Sequence, residues 1–130
     1  MNSGQLDEAF GAIFEAKLLV TKLLKNDDLL YLMVNDNMAS IYNRLKMHEQ
    51  AISTLEETKE ILTRKFGKAS RKYILCLSNL AYSYEKNGES AKAIPINQEV
   101  FEWAGKNLDK KDPAYIGYSN NLMAVYQSNN

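Results

Sequence analysis

The sequence has few of the residues that cross-link a chain or break its regular structure. Its 130 residues include one cysteine, two prolines and six glycines. The single thiol, Cys76, excludes an internal disulfide and fits a reducing compartment such as the cytoplasm. Because so few prolines and glycines leave no flexible linker, residues 1–130 are expected to form one domain with its own core.

Neither sign of charge is in excess, since 16 Lys and Arg residues balance 16 Asp and Glu residues. Surfaces that bind nucleic acids or anionic membranes usually show a basic excess, so neither partner is expected. No apolar run is long enough to span a bilayer. The first ten residues, MNSGQLDEAF, lack the basic segment of a secretory signal. A cytoplasmic location is therefore predicted.

Residues that carry chemistry are also scarce. The only histidine is His48, and a metal site needs three or four convergent ligands. The scattered glycines form no phosphate-binding loop. Cys76 lies between two leucines and is interpreted as a buried, inert thiol. The acidic pair Glu56-Glu57 is interpreted as solvated helix surface. The sequence therefore predicts no cofactor, no metal and no enzyme.

What the sequence does contain is a repeat with a period of 42 residues. Asn37, Asn79 and Asn121 are related by this spacing. The same spacing relates Tyr31, Tyr73 and Tyr115; Tyr42, Tyr84 and Tyr126; Ala9, Ala51 and Ala93; and Gly4, Lys46 and Gly88. So many positions with one period indicate a repeat architecture.

Potential helix starts follow the same period. Asp28, Ser70 and Asp112 are in phase, and their side-chain oxygens are suited to accept hydrogen bonds from first-turn amides. Pro113 follows Asp112, and proline is favoured as a first helical residue. These residues predict the start of a first helix in each repeat unit.

Apolar residues between these starts have helical spacing, as Ile74, Leu77, Leu80, Ala81 and Tyr84 show. Helices are predicted at roughly 5–25, 29–45, 48–66, 71–87, 90–108 and 113–128, and no segment alternates as a strand would. A lone helix hairpin cannot bury its apolar stripe, whereas stacked hairpins can. The predicted units are therefore 28–69 and 70–111, preceded by a second helix alone (1–27) and followed by a first helix alone (112–130).

The residues Ala81, Tyr84, Gly88 and Ala93 resemble the tetratricopeptide repeat (TPR). The unit before reads Ala39, Tyr42, Lys46 and Ala51, with lysine in place of the turn glycine. The 42-residue period, the segments NLA (79–81) and AIPI (93–96), and the pairs Phe66-Gly67 and Asp112-Pro113 are similar to the longer kinesin-light-chain type. The resemblance covers residues 4–130. It implies an all-α, right-handed solenoid of stacked antiparallel helix hairpins, with about six helices.

The resemblance also implies that the first helices line a concave groove for a peptide or a partner helix. The main candidate is the ladder of Asn37, Asn79 and Asn121, because an amide both donates to and accepts from a peptide backbone. The alternative is that each asparagine bonds a neighbouring helix and only sets the repeat spacing. The other candidate partner-binding residues are Met33, Asp36, Arg44, Ser78, Tyr82, Lys86 and Asn120.

Three of these candidates have more specific interpretations. Arg44 and Lys86, at the ends of first helices, are suited to bind acidic groups. Cations at a helix C-terminus also complement the helix dipole, which is the competing explanation. Tyr82 offers the amphipathic surface that is enriched at interfaces, and it is the best single candidate for a binding hot spot.

The two terminal helices lack a partner within their own unit, and Phe10, Phe14, Leu122 and Tyr126 lie on them. Two explanations stay open: the chain is a fragment of a longer array, or it self-associates head to tail. The sequence thus predicts a protein-binding scaffold or adaptor. The alternatives are a self-assembly element that forms homo-oligomers and a sensor segment of a larger signalling protein.

Overall fold

A computed structural model describes residues 2–23 and 29–128, and these residues form six α-helices and no strand. The helices are α1 (Ser3–Leu23), α2 (Leu29–Arg44), α3 (His48–Phe66), α4 (Arg71–Lys86), α5 (Ser90–Asn107) and α6 (Pro113–Ser128). Their bounds differ from the predicted ones by no more than two residues. Leu24, residue 25 and the predicted cap Asp28 lie outside the described residues.

Two of the predicted helix starts have the expected capping contacts. The Ser70 Oγ accepts a hydrogen bond from the Tyr73 backbone N–H at 3.1 Å, and Asp112 Oδ1 accepts from that of Ala114 at 2.8 Å. Pro113 is the first residue of α6. Capping by short polar side chains therefore starts α4 and α6 where the sequence indicates.

The turn between the two helices of a hairpin is built in the same way twice. Met47 N–H donates to the Tyr42 carbonyl at 2.7 Å, and 42 residues later Glu89 N–H donates to the Tyr84 carbonyl at 2.8 Å. The residue before each donor has a left-handed backbone, with φ of 62° at Lys46 and 80° at Gly88. Glycine adopts this conformation freely, whereas lysine is strained by its Cβ.

Each helix packs against the next one along the chain, and α2 also contacts α4. The molecule is therefore a solenoid of stacked antiparallel hairpins, α2–α3 and α4–α5, with α1 before them and α6 after them. The largest core cluster joins buried residues of the first four helices, among them Val20, Leu32, Leu55 and Leu80. Ala51 and Ala93 are fully buried, where a small side chain lets helices approach closely.

Tyrosine hydroxyls link helices with the same 42-residue period. The Tyr84 hydroxyl donates to Glu56 Oε1 at 3.0 Å, and the equivalent Tyr126 hydroxyl accepts from Gln98 Nε2. The Tyr31 hydroxyl donates to Glu57 Oε1 at 2.7 Å. Glu57 is exposed and Glu56 is half-buried, so both carboxylates reach the surface, but tyrosines from two neighbouring helices also bond to them, which the sequence analysis did not predict.

The next hairpin repeats the link between Tyr31 and Glu57. Tyr73 lies beside Glu99, and burial, with Glu99 as the next cause, raises the pKa of Tyr73 to about 12. Burial and the bond to Glu57 likewise raise the pKa of Tyr31 to about 12. Each hairpin therefore holds a neutral tyrosine hydroxyl against a glutamate of its second helix.

One buried contact between α2 and α3 is polar where its repeat equivalent is apolar. Asn35 Nδ2 donates to Glu57 Oε1 at 2.9 Å and to Thr58 Oγ1 at 3.3 Å, and both Asn35 and Thr58 are fully buried. Asn35 Oδ1 is buried without a hydrogen-bond partner. The residues 42 positions later are Leu77 and Val100, which pack in an apolar cluster.

Candidate functional site

The first helix of each hairpin, together with α6, carries the predicted partner-binding residues. All ten lie on α2, α4 or α6. Nine are exposed, and Ser78 is half-buried. The helix period therefore places nine of the ten candidates on accessible surface.

A hollow of about 350 Å³ separates α2 from α4. The α2 side presents Asp36, Ser40, Asn43 and Arg44, the α4 side presents Asn79 and Tyr82, and Ala39 and Leu55 complete the lining. Most of these side chains are polar or charged. We call this space the central hollow.

A smaller hollow of about 180 Å³ lies between α4 and α6. It is lined by Ser78, Asn79, Tyr82, Glu85, Asn97 and Asn121. Asn79 and Tyr82 line both this hollow and the central hollow, so the two spaces are adjacent across these side chains. Asn79 and Tyr82 therefore occupy the middle of the polar surface.

An apolar hollow of about 260 Å³ adjoins the central hollow on its other side. It is lined by Leu29, Leu32, Met33, Asp36, Leu62, Lys72 and Leu75, and Asp36 also lines the central hollow. Met33 and Leu75 are exposed and occupy equivalent repeat positions. We call the three hollows together the trough. The trough has a polar middle and one apolar end.

The asparagine ladder is only partly in the trough. Asn79 and Asn121 line the same hollow. Asn37 lines a fourth hollow of about 420 Å³ between α1 and α2, together with Ala9, Ala12, Ile13, Ser40, Ile41 and Arg44. Ser40 and Arg44 also line the central hollow. Asn120 lines none of these four hollows.

The side-chain amides of Asn37, Asn79 and Asn121 have no hydrogen-bond partner within residues 2–23 and 29–128. The contacts that would set repeat spacing through these amides are therefore not formed by the described part of the chain. Each amide keeps its donors and its acceptor available for a ligand.

Charge in the trough is concentrated around Asp36 and at the ends of the first helices. Although Asp36 is exposed as a residue, burial raises the pKa of its carboxyl to about 6, and Lys72 opposes this rise. Lys86 Nζ lies 5.5 Å from the centre of the Tyr82 ring, within the range of a cation–π contact. Tyr82 therefore holds a cation at the rim of the polar middle.

The four candidate self-association residues have different environments. Phe10 packs between Phe14 and Tyr42, with ring centres 6.0 and 5.3 Å away. Leu122 packs against the cluster around Val125. Phe14 and Tyr126 are exposed. Phe10 and Leu122 are thus packed within the chain, whereas Phe14, which stacks on Phe10, and Tyr126, which bonds to Gln98, also reach the surface. Leu19, Ile116 and Met123 are further exposed apolar residues of the two terminal helices.

The reactive side chains have structural partners. Cys76 is buried, its Sγ lies 3.5 Å from the Leu55 carbonyl oxygen, and burial raises its pKa to about 12. His48 Nδ1 lies 2.8 Å from Asn43 Oδ1. The described residues include no group of three or more His, Cys, Asp or Glu side chains placed to hold a metal. Among the described helices, none is both long enough and apolar enough to cross a membrane.

Comparison with protein families shows what class of molecule this fold is. A family model for the tetratricopeptide repeat matches residues 29–106, which is more than half of the chain. The chain therefore belongs to the tetratricopeptide-repeat family, whose fold is a non-catalytic scaffold that generally mediates protein–protein interaction. No curated protein matches the chain.

Solved structures show which kind of tetratricopeptide repeat the chain resembles. A putative kinesin light chain from Podosopora anserina with nearly identical TPR-like repeats is 21% identical, with a TM-score of 0.92 over 97% of this chain and 60% of its own. A single-substitution variant of that protein gives a TM-score of 0.84 at 21% identity, over 97% of this chain and 59% of its own. BtubC (BKLC) from P. vanneervenii gives 0.87 at 22% identity, over 97% and 50%. The repeats thus have the kinesin-light-chain-like fold, and the chain spans 50 to 60% of these proteins.

Proposed function

We propose that the chain is a scaffold or adaptor that holds an extended peptide segment of a partner protein in the trough. One observation carries this proposal: the three hollows adjoin one another. Asp36 lines both the apolar and the central hollow, and Asn79 and Tyr82 line both the central hollow and the hollow between α4 and α6. A row of adjoining hollows across α2, α4 and α6 suits an extended chain better than a small compact ligand.

The peptide backbone is recognised by Asn79 and Asn121. Both amides lack partners among the described residues and line the hollow between α4 and α6. An amide pairs with a backbone N–H and C=O whatever the peptide side chain is, so these contacts add affinity without narrowing the peptide sequence.

The peptide side chains are recognised at three places. Met33 and Leu75 bind an apolar side chain in the apolar hollow, and a flexible thioether adapts to different shapes. Tyr82 is the central anchor, since exposed tyrosines that become buried when a partner binds are frequent interface hot spots. Arg44, which lines the central hollow, and Lys86, beside Tyr82, bind acidic groups.

This role is binding and not catalysis, and the cytoplasm is the proposed location, which suits the single, buried and unpaired Cys76. The trough crosses only three first helices, so the affinity for one peptide should be modest. Several binding segments or several copies of the module would raise the overall strength.

Peptides selected from a phage-displayed library on the immobilised chain provide the test. Fluorescence anisotropy then gives the dissociation constant of a selected peptide. We expect Asn79→Ala to weaken binding about five- to tenfold, the loss of roughly one hydrogen bond. Tyr82→Ala should weaken it about 30-fold or more, as for a hot spot.

Phe14→Ala is the matched control, because Phe14 is a similarly exposed aromatic residue on α1, outside the trough. It should leave peptide binding unchanged. The proposal fails if the Asn79→Ala/Tyr82→Ala double variant binds the selected peptides as tightly as the unchanged chain, or if the selection yields no binding peptide.

A further inference from the structure

α6 exposes apolar positions that are buried in the equivalent helices. Ile116 is 49% exposed, whereas its equivalents Leu32 and Ile74 are 4% and 1% exposed. Met123 is 56% exposed, and its equivalent Ala81 is 1% exposed. In α2 and α4 these positions belong to the side that packs on the second helix of the hairpin. The same side of α6 is uncovered within the described residues.

α1 exposes the complementary side of a second helix. Leu19 is 59% exposed, whereas its equivalent Ile61 is 3% exposed. Ile61 lies one helical turn after Glu57 and Thr58, the two residues that hydrogen-bond to α2. Residues three and four apart share a helix face, so Leu19 lies on the side with which a second helix packs against its first helix.

Side-chain sizes on these two faces are complementary. α1 has Ala12 and Ala16 where α5 has the larger Ile96 and Val100. α6 has Met123 where α4 has the small Ala81. With a large residue on the α6 face and small residues on the α1 face, the total side-chain volume between the two helices would be close to that between α4 and α5, which favours close packing.

A polar pair is also divided between the two faces. In the first hairpin the Tyr31 hydroxyl donates to Glu57. One repeat after Tyr73 the tyrosine is Tyr115, and one repeat before Glu57 the glutamate is Glu15. Neither the Tyr115 hydroxyl nor the Glu15 carboxylate has a hydrogen-bond or ion-pair partner among the residues that the structure describes. A hairpin made from α6 and α1 would restore this bond.

The hollow between α1 and α2 is where an incoming first helix would lie. α2 meets α4 through a 2.8 Å hydrogen bond from Asn43 Nδ2 to Ser83 Oγ. The equivalent of Ser83 in α2 is Ile41, and Ile41 lines the hollow of about 420 Å³ between α1 and α2. The repeat geometry therefore directs a preceding first helix into this hollow.

We propose that α6 of one molecule docks against α1 and α2 of a second copy, so that α6 and the second copy's α1 form a hairpin like α2–α3. The contact buries Ile116 and Met123 against Leu19 and pairs Tyr115 with Glu15. Because the two surfaces differ, the contact is heterologous and continues the solenoid from copy to copy. Ser40 and Arg44 border both the trough and the hollow that α6 enters. Ile116, Met123, Leu19, Tyr115 and Glu15 do not line the trough, so variants at these positions leave the proposed peptide-binding side chains unchanged.

Two glutamate variants of the full chain test this contact. Leu19→Glu blocks the α1 face and Ile116→Glu blocks the α6 face, and both sites are exposed, so circular dichroism should show unchanged folding. Size-exclusion chromatography with light scattering should show a mass for the unchanged chain that rises above 14.8 kDa with concentration. Each variant alone should stay at the mass of one chain.

An equimolar mixture of the two variants gives the sharpest result. The Ile116→Glu chain keeps an intact α1, and the Leu19→Glu chain keeps an intact α6. Their mixture should form a dimer of twice the chain mass and nothing larger, since the two remaining faces are blocked. Tyr115→Phe in the unchanged chain should weaken association about 10- to 100-fold through loss of one charged hydrogen bond.

Leu18→Glu is the matched control, because Leu18 is an equally exposed neighbour of Leu19 whose repeat equivalents are Glu60 and Glu102. It should leave association unchanged. A monomeric unchanged chain at hundreds of micromolar overturns the proposal. So does a Leu19→Glu variant that still dimerises while Ile116→Glu does not, since that result means that α6 pairs with α6. A mixture that stays monomeric also overturns it.

Discussion

Replacing the buried polar pair of the first hairpin by its apolar repeat equivalents should stabilise the protein. The change is Asn35→Leu with Thr58→Val, which copies Leu77 and Val100 into the positions 42 residues earlier. The carbonyl oxygen of Asn35 is buried without a partner, so the present pair carries an uncompensated desolvation cost.

The expected size of the effect follows from three terms. Removing a buried unpaired carbonyl relieves about 1–3 kcal/mol. Burying a leucine side chain contributes about 1.5–3 kcal/mol. Losing the bond from Asn35 to the Glu57 carboxylate costs about 1.5–3 kcal/mol. Glu57 keeps its bond from Tyr31. The Thr58 hydroxyl, which accepts from Asn35 and donates to the Thr54 carbonyl, is removed together with Asn35, and the Thr54 carbonyl keeps its helix hydrogen bond, so no new polar group is left unpaired. The net gain is about 2 kcal/mol.

Urea unfolding followed by circular dichroism measures this gain, and the thermal midpoint should rise by about 7 °C. The reverse graft, Leu77→Asn with Val100→Thr, is the matched control and should cost about 3 kcal/mol or more. A loss of more than about 1 kcal/mol in the Asn35→Leu/Thr58→Val variant would refute the reasoning, because it would mean that the two layers do not pack equivalently.

Two further predictions concern the hairpin turn and the charge in the trough. Gly88→Ala should destabilise the chain by about 1 kcal/mol because φ is 80° there; an added Cβ meets nothing within 4 Å, so the cost comes from the backbone alone. Gly117 lies in a helix with the same free space, and Gly117→Ala should instead stabilise the chain by about 0.5–1 kcal/mol. Thermal unfolding measures both changes. Asp36 has its pKa raised from 3.8 to about 6. The protonated Asp36 carboxyl should therefore contribute to the free energy of unfolding, fully below about pH 3.8. This contribution is lost as the pH rises through about 6, and it amounts to less than about 1 kcal/mol after screening. Urea midpoints measured from pH 4 to 7 check this: they should vary less with pH in Asp36→Asn than in the unchanged chain. An equally steep pH profile in the variant would contradict the assignment of the pH dependence to Asp36.

The helices and their starts could be predicted because the signals are local. Helical spacing of apolar residues depends only on nearby positions, and a cap such as Ser70 needs an oxygen within reach of the first turn. The 42-residue period then extended the interpretation of one unit to the others. Even the strained turn at Lys46 had a signal in the sequence, because Lys46 occupies the repeat position at which the next unit has Gly88.

Which hollow each ladder residue lines could not be predicted in the same way. The period gives Asn37, Asn79 and Asn121 the same angular position on their helices, and all three are exposed. Asn37 nevertheless lines a different hollow, because α1 packs beside α2 there. Which hollow a side chain borders depends on the neighbouring helix, and the phase of one helix does not contain that information.

The roles of Glu56 and Glu57 were missed for a related reason. A glutamate on a helix surface is expected to be solvated unless a long side chain from another helix reaches it, as Tyr31 and Tyr84 do. One signal was available: the tyrosines recur with the period, and Glu57 recurs as Glu99. When a tyrosine and a glutamate both repeat with the same 42-residue period, a contact between them in each hairpin is indicated.

The order in which the helices pack has a kinetic consequence. Since every helix contacts chiefly its neighbours in sequence, the chain closes only short loops as it folds. Such low contact order is typical of folding within microseconds to milliseconds. α1 and α6 each pack on one neighbouring helix, and α3 and α4 lie in the middle. Amide hydrogen exchange should therefore be fastest in α1 and α6 and slowest in α3 and α4, a gradient set by position along the stack.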